Sequence, residues 1–190
     1  GAYGMMLPPV FLDRDGVINR NRDDYVRRAS HWVPYPGVFR SMARLTEAGL
    51  PIVVVTNQSA IGRGYTTRDV VEQVHALLVK RASKAGARIS GVYYCPHRPD
   101  EGCGCRKPAV GMVEAARREL GLPDGGWMVG DAATDMELGR ASGLRTLLVL
   151  TGRGRDQLDG IRKTGGPEPW AVCDGLDAAV TRILADLREK

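Results

Sequence analysis

Val10-Phe11-Leu12-Asp13-Arg14-Asp15-Gly16-Val17-Ile18-Asn19 is an apolar run that ends abruptly in two carboxylates and a glycine. Val10 to Leu12 read as a short strand buried on both faces of a parallel sheet, because no polar residue alternates with them. Asp13 and Asp15 stand two residues apart, so an extended chain sends both side chains off the same side of the strand end. Two carboxylates so placed repel each other, and a magnesium ion, which prefers carboxylate and water oxygens, stabilises the pair. Such a cation also offsets the charge of an incoming phosphate. In that arrangement Asp13 is the candidate nucleophile toward phosphorus, and Asp15 the candidate acid for the leaving alkoxide. Gly16 lets the chain turn away without a side chain over the substrate. The plain alternative is an aspartate-rich turn, since two aspartates flanking one residue are a weak signal alone.

The same pattern recurs along the chain. Ile52-Val53-Val54-Val55 leads into Thr56-Asn57-Gln58-Ser59, a hydroxyl and an amide suited to phosphate oxygens, although Thr-Asn after a strand is also ordinary turn chemistry. Trp127-Met128-Val129 leads into Gly130-Asp131-Ala132-Ala133-Thr134-Asp135, where Thr134 and Asp135 also suit the start of a helix. Asp13, Thr56 and Asp131 each follow a separate apolar run. A parallel α/β sheet therefore gathers all three at its carboxyl edge, where such folds bind ligands.

Helical spacing marks Val38 to Ala48, stopped by Gly49 and Pro51. A longer helix opens at Thr66 as N-cap and runs to about Ala85, and further helices cover Met112 to Leu120 and Leu176 to Leu187. Val92 to Tyr94, Thr146 to Leu150 and the edge segment Ala171 to Cys173 read as strands. Arg20 to Pro36 reads as a loop over the site, with Arg22, Arg27, Arg28 and His31 in reach of a substrate or simply solvated. Thr151 to Pro169 reads as a glycine-rich basic loop. His75, inside its helix, reads as a structural or surface histidine, and Cys173 as a lone buried thiol.

Cys95-Pro96-His97 and Cys103-Gly104-Cys105 place three thiols and an imidazole within eleven residues, the donor set of a tetrahedral structural zinc site. A Cys-x-Cys disulfide would be strained. Zinc there folds a loop too polar and glycine-rich to hold itself, and four protein donors leave no open position for catalysis. Arg106-Lys107-Pro108 follows directly. The proline restricts Lys107 to extended backbone, so the anchored loop can aim its ammonium at the site.

At 190 residues, with 27 basic and 22 acidic side chains, the chain has the size of one domain and a net charge of +5 that favours anionic ligands. Aromatics are only 6% and the arginines are scattered, so nucleic acid is a minority expectation beside a phosphorylated metabolite. No stretch approaches the roughly 20 apolar residues of a membrane span. Pro8-Pro9 cuts the Met5-Met6-Leu7 run short of a secretory signal, and the expected setting is cytoplasmic.

Asp-Arg-Asp-Gly-Val after a buried run resembles the first motif of the haloacid dehalogenase-like (HAD) phosphatases. Thr56-Asn57, Lys107 and Asp131 stand in order where the other three motifs belong. The resemblance implies a HAD-like (Rossmannoid) α/β fold, with a parallel sheet flanked by helices, no large cap domain, and a single domain 1–190 carrying a zinc loop at 95–105. It further implies phosphomonoester hydrolysis through an aspartyl-phosphate on Asp13, with Asp15 as acid and then base. Catalytic Mg2+ is held by Asp13, the backbone carbonyl of Asp15 and Asp131, with Asp135 behind them, while Thr56, Asn57 and Lys107 hold the phosphoryl oxygens.

The zinc loop with Arg-Lys-Pro is similar to a branch that holds heptose-bisphosphate and histidinol-phosphate phosphatases. Thr56 to Tyr65 resembles the heptose side, apart from Ala60 and Gly62. The expected substrate is therefore a phosphorylated sugar carrying a second phosphate, acted on by a monomer. Arg106 and Arg63, cations on loops that carry other site residues, are candidates for the phosphate that is not cleaved. Histidinol phosphate, a 3'-phosphorylated nucleic acid, or a non-catalytic zinc-stabilised binding module are the alternatives.

Overall fold

The computed structural model describes residues 5–189. Six strands, β1 (Val10–Leu12), β2 (Ile52–Asn57), β3 (Ile89–Cys95), β4 (Trp127–Gly130), β5 (Arg145–Val149) and β6 (Ala171–Cys173), form one sheet in the order β3-β2-β1-β4-β5-β6. Every neighbouring pair is parallel. Helices α1 (Val38–Glu47), α2 (Arg68–Lys84), α3 (Gly111–Leu120), α4 (Ala133–Ala141), α5 (Gly154–Thr164) and α6 (Leu176–Arg188) connect or close the strands. The chain steps outward from β1 to β2 and β3, then returns to the other side of β1 and steps outward again. That reversal opens a crevice at the carboxyl ends of β1 and β4, where Asp13 and Asp131 follow.

Successive strand residues face opposite layers. Val10, Leu12 and Val54 pack with Met42 of α1, Leu78 of α2 and Ile183 of α6, whereas Phe11, Val53 and Met128 pack with Val113 of α3 and Leu138 of α4. Val10, Phe11 and Leu12 have no solvent exposure. Each such side chain contributes roughly 1.5–3 kcal/mol on burial, which holds the strand end in place against the carboxylates crowded at its tip.

Two expectations are corrected. The segment Thr151 to Pro169 is not a loop, for α5 lies within it and buries Leu158 and Ile161 against Leu148 and Met136. Its two apolar anchors, three residues apart in a basic, glycine-bearing stretch, give a stripe too thin to stand out in the sequence. The N-cap of α2 is Thr67, whose hydroxyl accepts from Val70 N, because Thr66 spends its hydroxyl on the carbonyl of Arg27 at 2.8 Å. The N-terminal bound of the expected 1–190 unit, and its last residue, lie outside the described residues. Among the described residues no helix is long and apolar enough to cross a membrane.

Candidate active site

Asp13, Asp131 and Asp135 come together as the strand pattern requires, with one carboxylate oxygen from each lying within 4.8 Å of the others. All three side chains are buried. Gly16, at φ +87°, lies so close that a Cβ on it would sit 2.0 Å from Asp131 Oδ2, so only glycine fits there.

Lys107 Nζ donates to Asp13 Oδ1 at 2.9 Å, to Asp135 Oδ1 at 2.8 Å and to the carbonyl of Val55 at 3.0 Å, which uses all three of its hydrogens. Burial opposes its charge, but Asp13 and Asp135 outweigh that and raise its pKa, keeping it an ammonium. Burial, together with Asp135, pushes the Asp13 carboxyl up, against the pull of Lys107. Asp131 is pushed up by burial and by Asp135.

Three carboxylates against the Lys107 ammonium and the more exposed Arg153 guanidinium, 3.8 Å from Asp131 Oδ2, still leave a net negative charge in a buried place, a costly state without a counter-ion. Asp131 Oδ1 is buried and has no hydrogen-bond partner, while Oδ2 accepts from the backbone N–H of Arg153 at 3.0 Å. An orphaned carboxylate oxygen among others fits a hard, oxygen-seeking cation such as magnesium.

Asp15 also opens onto the cleft, a space of about 570 Å³. Burial acts to raise its pKa, but the Arg14 charge and hydrogen bonds from Asn19, Arg14 and Gln58 prevail and lower it. Asn57 lines the cleft and clamps Lys107, accepting from its backbone N–H at 3.0 Å and donating to its carbonyl at 3.3 Å. Sequence reasoning gave Asn57 only a phosphate, and this buckle between β2 and the loop after Cys105 was not visible in it. Thr56 is buried with its hydroxyl accepting from Gln58, and it is not among the cleft's lining residues.

Arg63 and Arg106 both line the cleft, joined there by Arg22 and Arg153. Arg106 Nη1 is buried without a partner, and Arg63 lies 5.9 Å from the ring of Tyr25. The floor is thus acidic around one ammonium, and the rim carries four arginines against Asp23, with Arg22 paired to Asp24. Arg27, Arg28 and His31 are not among the lining residues, and His31 Nδ1 instead accepts from the backbone N–H of Arg27.

The thiol cluster immediately precedes Lys107 in the chain. Donor atoms of Cys95, His97, Cys103 and Cys105 lie within 4.8 Å of one another. His97 Nδ1 is 3.3 Å from Cys95 Sγ and 3.2 Å from Cys105 Sγ. All three cysteines are free thiols, and the 3.0 Å between Cys95 and Cys105 sulfurs is far beyond a disulfide bond of about 2.05 Å. At Cys103 burial acts upward, but the backbone N–H of Arg106 and the neighbouring cysteines bring the thiol down to about 6. The donor set fits a tetrahedral soft-metal site.

Comparisons with known proteins identify the family. The HAD-hydrolase-like family profile matches residues 104–179. A D-glycero-beta-D-manno-heptose-1,7-bisphosphate 7-phosphatase of Pseudomonas putida is 42% identical over 92% of this chain and 98% of its own. Its counterpart from Pseudomonas aeruginosa is 40% identical over 92% and 97%. The crystal structure of the D,D-heptose 1,7-bisphosphate phosphatase of Bordetella bronchiseptica, complexed with magnesium and phosphate, superposes with a TM-score of 0.87 at 33% identity, covering 95% of this chain and 99% of that one. On fold and on identity across nearly the whole length, the chain belongs to the heptose 1,7-bisphosphate 7-phosphatase family of HAD-like hydrolases.

Proposed function

We propose that the protein removes the 7-phosphate of D-glycero-D-manno-heptose 1,7-bisphosphate, a reading carried by the meeting of Asp13, Asp135 and Lys107 in one cleft with the buried Asp131 against them. An oxygen of Asp13 attacks phosphorus, the bond from phosphorus to the sugar oxygen breaks, and Asp15 gives that oxygen its proton. Asp15 is held as a carboxylate in the resting site, and the negative charge of the entering phosphate raises its proton affinity. Water then attacks the aspartyl-phosphate while Asp15 takes its proton, which frees phosphate and restores Asp13.

Asp13, the backbone carbonyl of Asp15 and Asp131 would hold Mg2+, with Asp135 bracing Lys107 behind them. When bound, that ion would neutralise charge on the transferring phosphoryl group. Lys107 supplies a fixed positive charge beside Asp13, and Asn57 completes the phosphoryl pocket, with Thr56 buried behind it and its hydroxyl engaged by Gln58. Cys95, His97, Cys103 and Cys105 would hold a structural Zn2+, which fits a cytoplasmic protein whose thiols stay reduced. The chain acts as one catalytic unit and as a monomer, with residues 95–105 as its metal-stapled loop.

The cationic rim supports a substrate with two phosphates. One sits over the acidic floor, and the other meets Arg106, with Arg63 beside it. Magnesium-dependent phosphate release from both anomers of the heptose bisphosphate, from histidinol phosphate and from a 3'-phosphorylated oligonucleotide tests this. The names of the relatives favour the β anomer. Preference for histidinol phosphate or for the oligonucleotide would replace the sugar reading.

A further inference from the structure

Arg14 stands between the two aspartates of the cleft, yet it is only 1% exposed. A buried guanidinium needs acceptors, because an unpaired buried charge is costly. Its Nε and Nη2 donate to Asp15 Oδ1 at 3.2 and 2.9 Å, Nη2 also donates to Gln58 Oε1 at 3.2 Å, and Nη1 lies 3.0 Å from His75 Nε2. A guanidinium can only donate, so Nε2 of His75 is the acceptor and the proton of the neutral ring is on Nδ1. Burial and the Arg14 charge lower His75 to about 3, in keeping with a neutral ring.

Gln58 closes the circuit. Its Oε1 is engaged by Arg14, which fixes the orientation of its amide, and its Nε2 donates to Asp15 Oδ2 at 2.8 Å. Asn19 Nδ2 donates to Asp15 Oδ1 at 2.9 Å. Oδ1 thus receives three donors and has no direction left for a further partner. Oδ2 receives one and keeps a lone pair.

We propose that Arg14, gripped from behind by His75 and Gln58, is the positioning residue that fixes the Asp15 carboxyl so that Oδ2 alone meets the leaving-group oxygen. This rests on the reading of Asp15 as the group that protonates the leaving alkoxide. As the bond from phosphorus to oxygen breaks, its electron pair stays on the leaving oxygen and the proton passes from Oδ2 to it. Arg14 and His75 act only through Asp15.

A misplaced acid costs rate only where the leaving group needs the proton. A sugar alkoxide does, whereas acetate or p-nitrophenolate leaves without one. The test compares kcat/KM of the magnesium-loaded enzyme on the heptose bisphosphate with that on acetyl phosphate or p-nitrophenyl phosphate, since kcat/KM covers the steps through cleavage of that bond. Arg14→Met is expected to lose about 100-fold on the sugar and less than about 5-fold on the activated phosphates. His75→Phe should show the same selectivity with a loss of about 10-fold, and His75→Gln, whose amide oxygen accepts again, should recover most of it.

Equal losses on both substrate types would make the network merely structural, and no loss on either would make it idle. Both outcomes overturn the proposal. A wild-type protein inactive on every phosphomonoester would overturn the site reading itself. If Arg14→Met does not fold, Arg14→Lys and the two His75 variants carry the same comparison.

Discussion

The carboxylate floor and the thiol cluster are neighbours built in opposite ways. The thiol site draws its donors from eleven consecutive residues, Cys95 to Cys105, on a loop that leaves β3. The floor draws Asp13 from the end of β1, Asp131 and Asp135 from the far side of β4, and Lys107 from the loop beyond the cysteines. The first is local, its four donors drawn from one short stretch. The second is global and rests on the sheet. Lys107 joins them, two residues after Cys105 and 2.9 Å from Asp13.

Asp13→Asn strikes the global site at its reacting atom and carries the largest expected effect. Phosphate release from the heptose bisphosphate should fall by about 1,000-fold or more, with an unchanged melting temperature. Substantial residual turnover would move the nucleophile elsewhere.

Removing the metal from the local site tests whether the two regions are coupled through Lys107. Chelation, or Cys103→Ser, is expected to release about one zinc per chain by elemental analysis, to lower the melting temperature and to cut turnover by about 10- to 100-fold. Full activity in metal-stripped protein re-supplied with magnesium alone would show the two regions to be independent.

Arg106→Ala probes the cationic rim. Its expected signature is a loss of about 10-fold in the preference for bisphosphate over monophosphate sugars. An unchanged preference removes Arg106 from that role and leaves Arg63 to be tried.

The smallest expected effect is in stability against pH. His75 is lowered in the folded protein to about 3, from an ordinary value of 6.5. Between those values the unfolded chain binds the proton and the folded one does not. The contribution of His75 is therefore complete above about pH 6.5 and is lost as pH falls toward 3, by up to about 1.4 kcal/mol per pH unit. Denaturant titrations at pH 7 and pH 5 should show a shallower fall for His75→Gln than for the wild type, and identical slopes would contradict a buried neutral imidazole.

Much of this arrangement was legible before the structure. Strand ends and the proline after the lysine point to Asp13, Asp131 and Lys107, and spacing points to the cluster of three thiols and an imidazole. Arg14 was passed over, although a residue between two that face the cleft must point away from it, into a layer that helices cover. The sequence leaves His75 open between a structural and a surface role, and the structure buries it against Arg14. Helix α5 escaped because its buried stripe is thin and its composition resembles a loop.

Local matters are written in neighbouring residues: which apolar runs become strands, where carboxylates end them, and which loop collects three thiols and an imidazole each rest on positions close together in the chain. The rest comes from contacts between distant parts of the chain. They set the three-way grip on Lys107, the buckle of Asn57 across to the lysine backbone, the orphaned oxygen of Asp131, and the circuit from His75 through Arg14 to Asp15. Those contacts join residues dozens of positions apart, and the strand order that brings them together comes from burying both faces of the sheet at once.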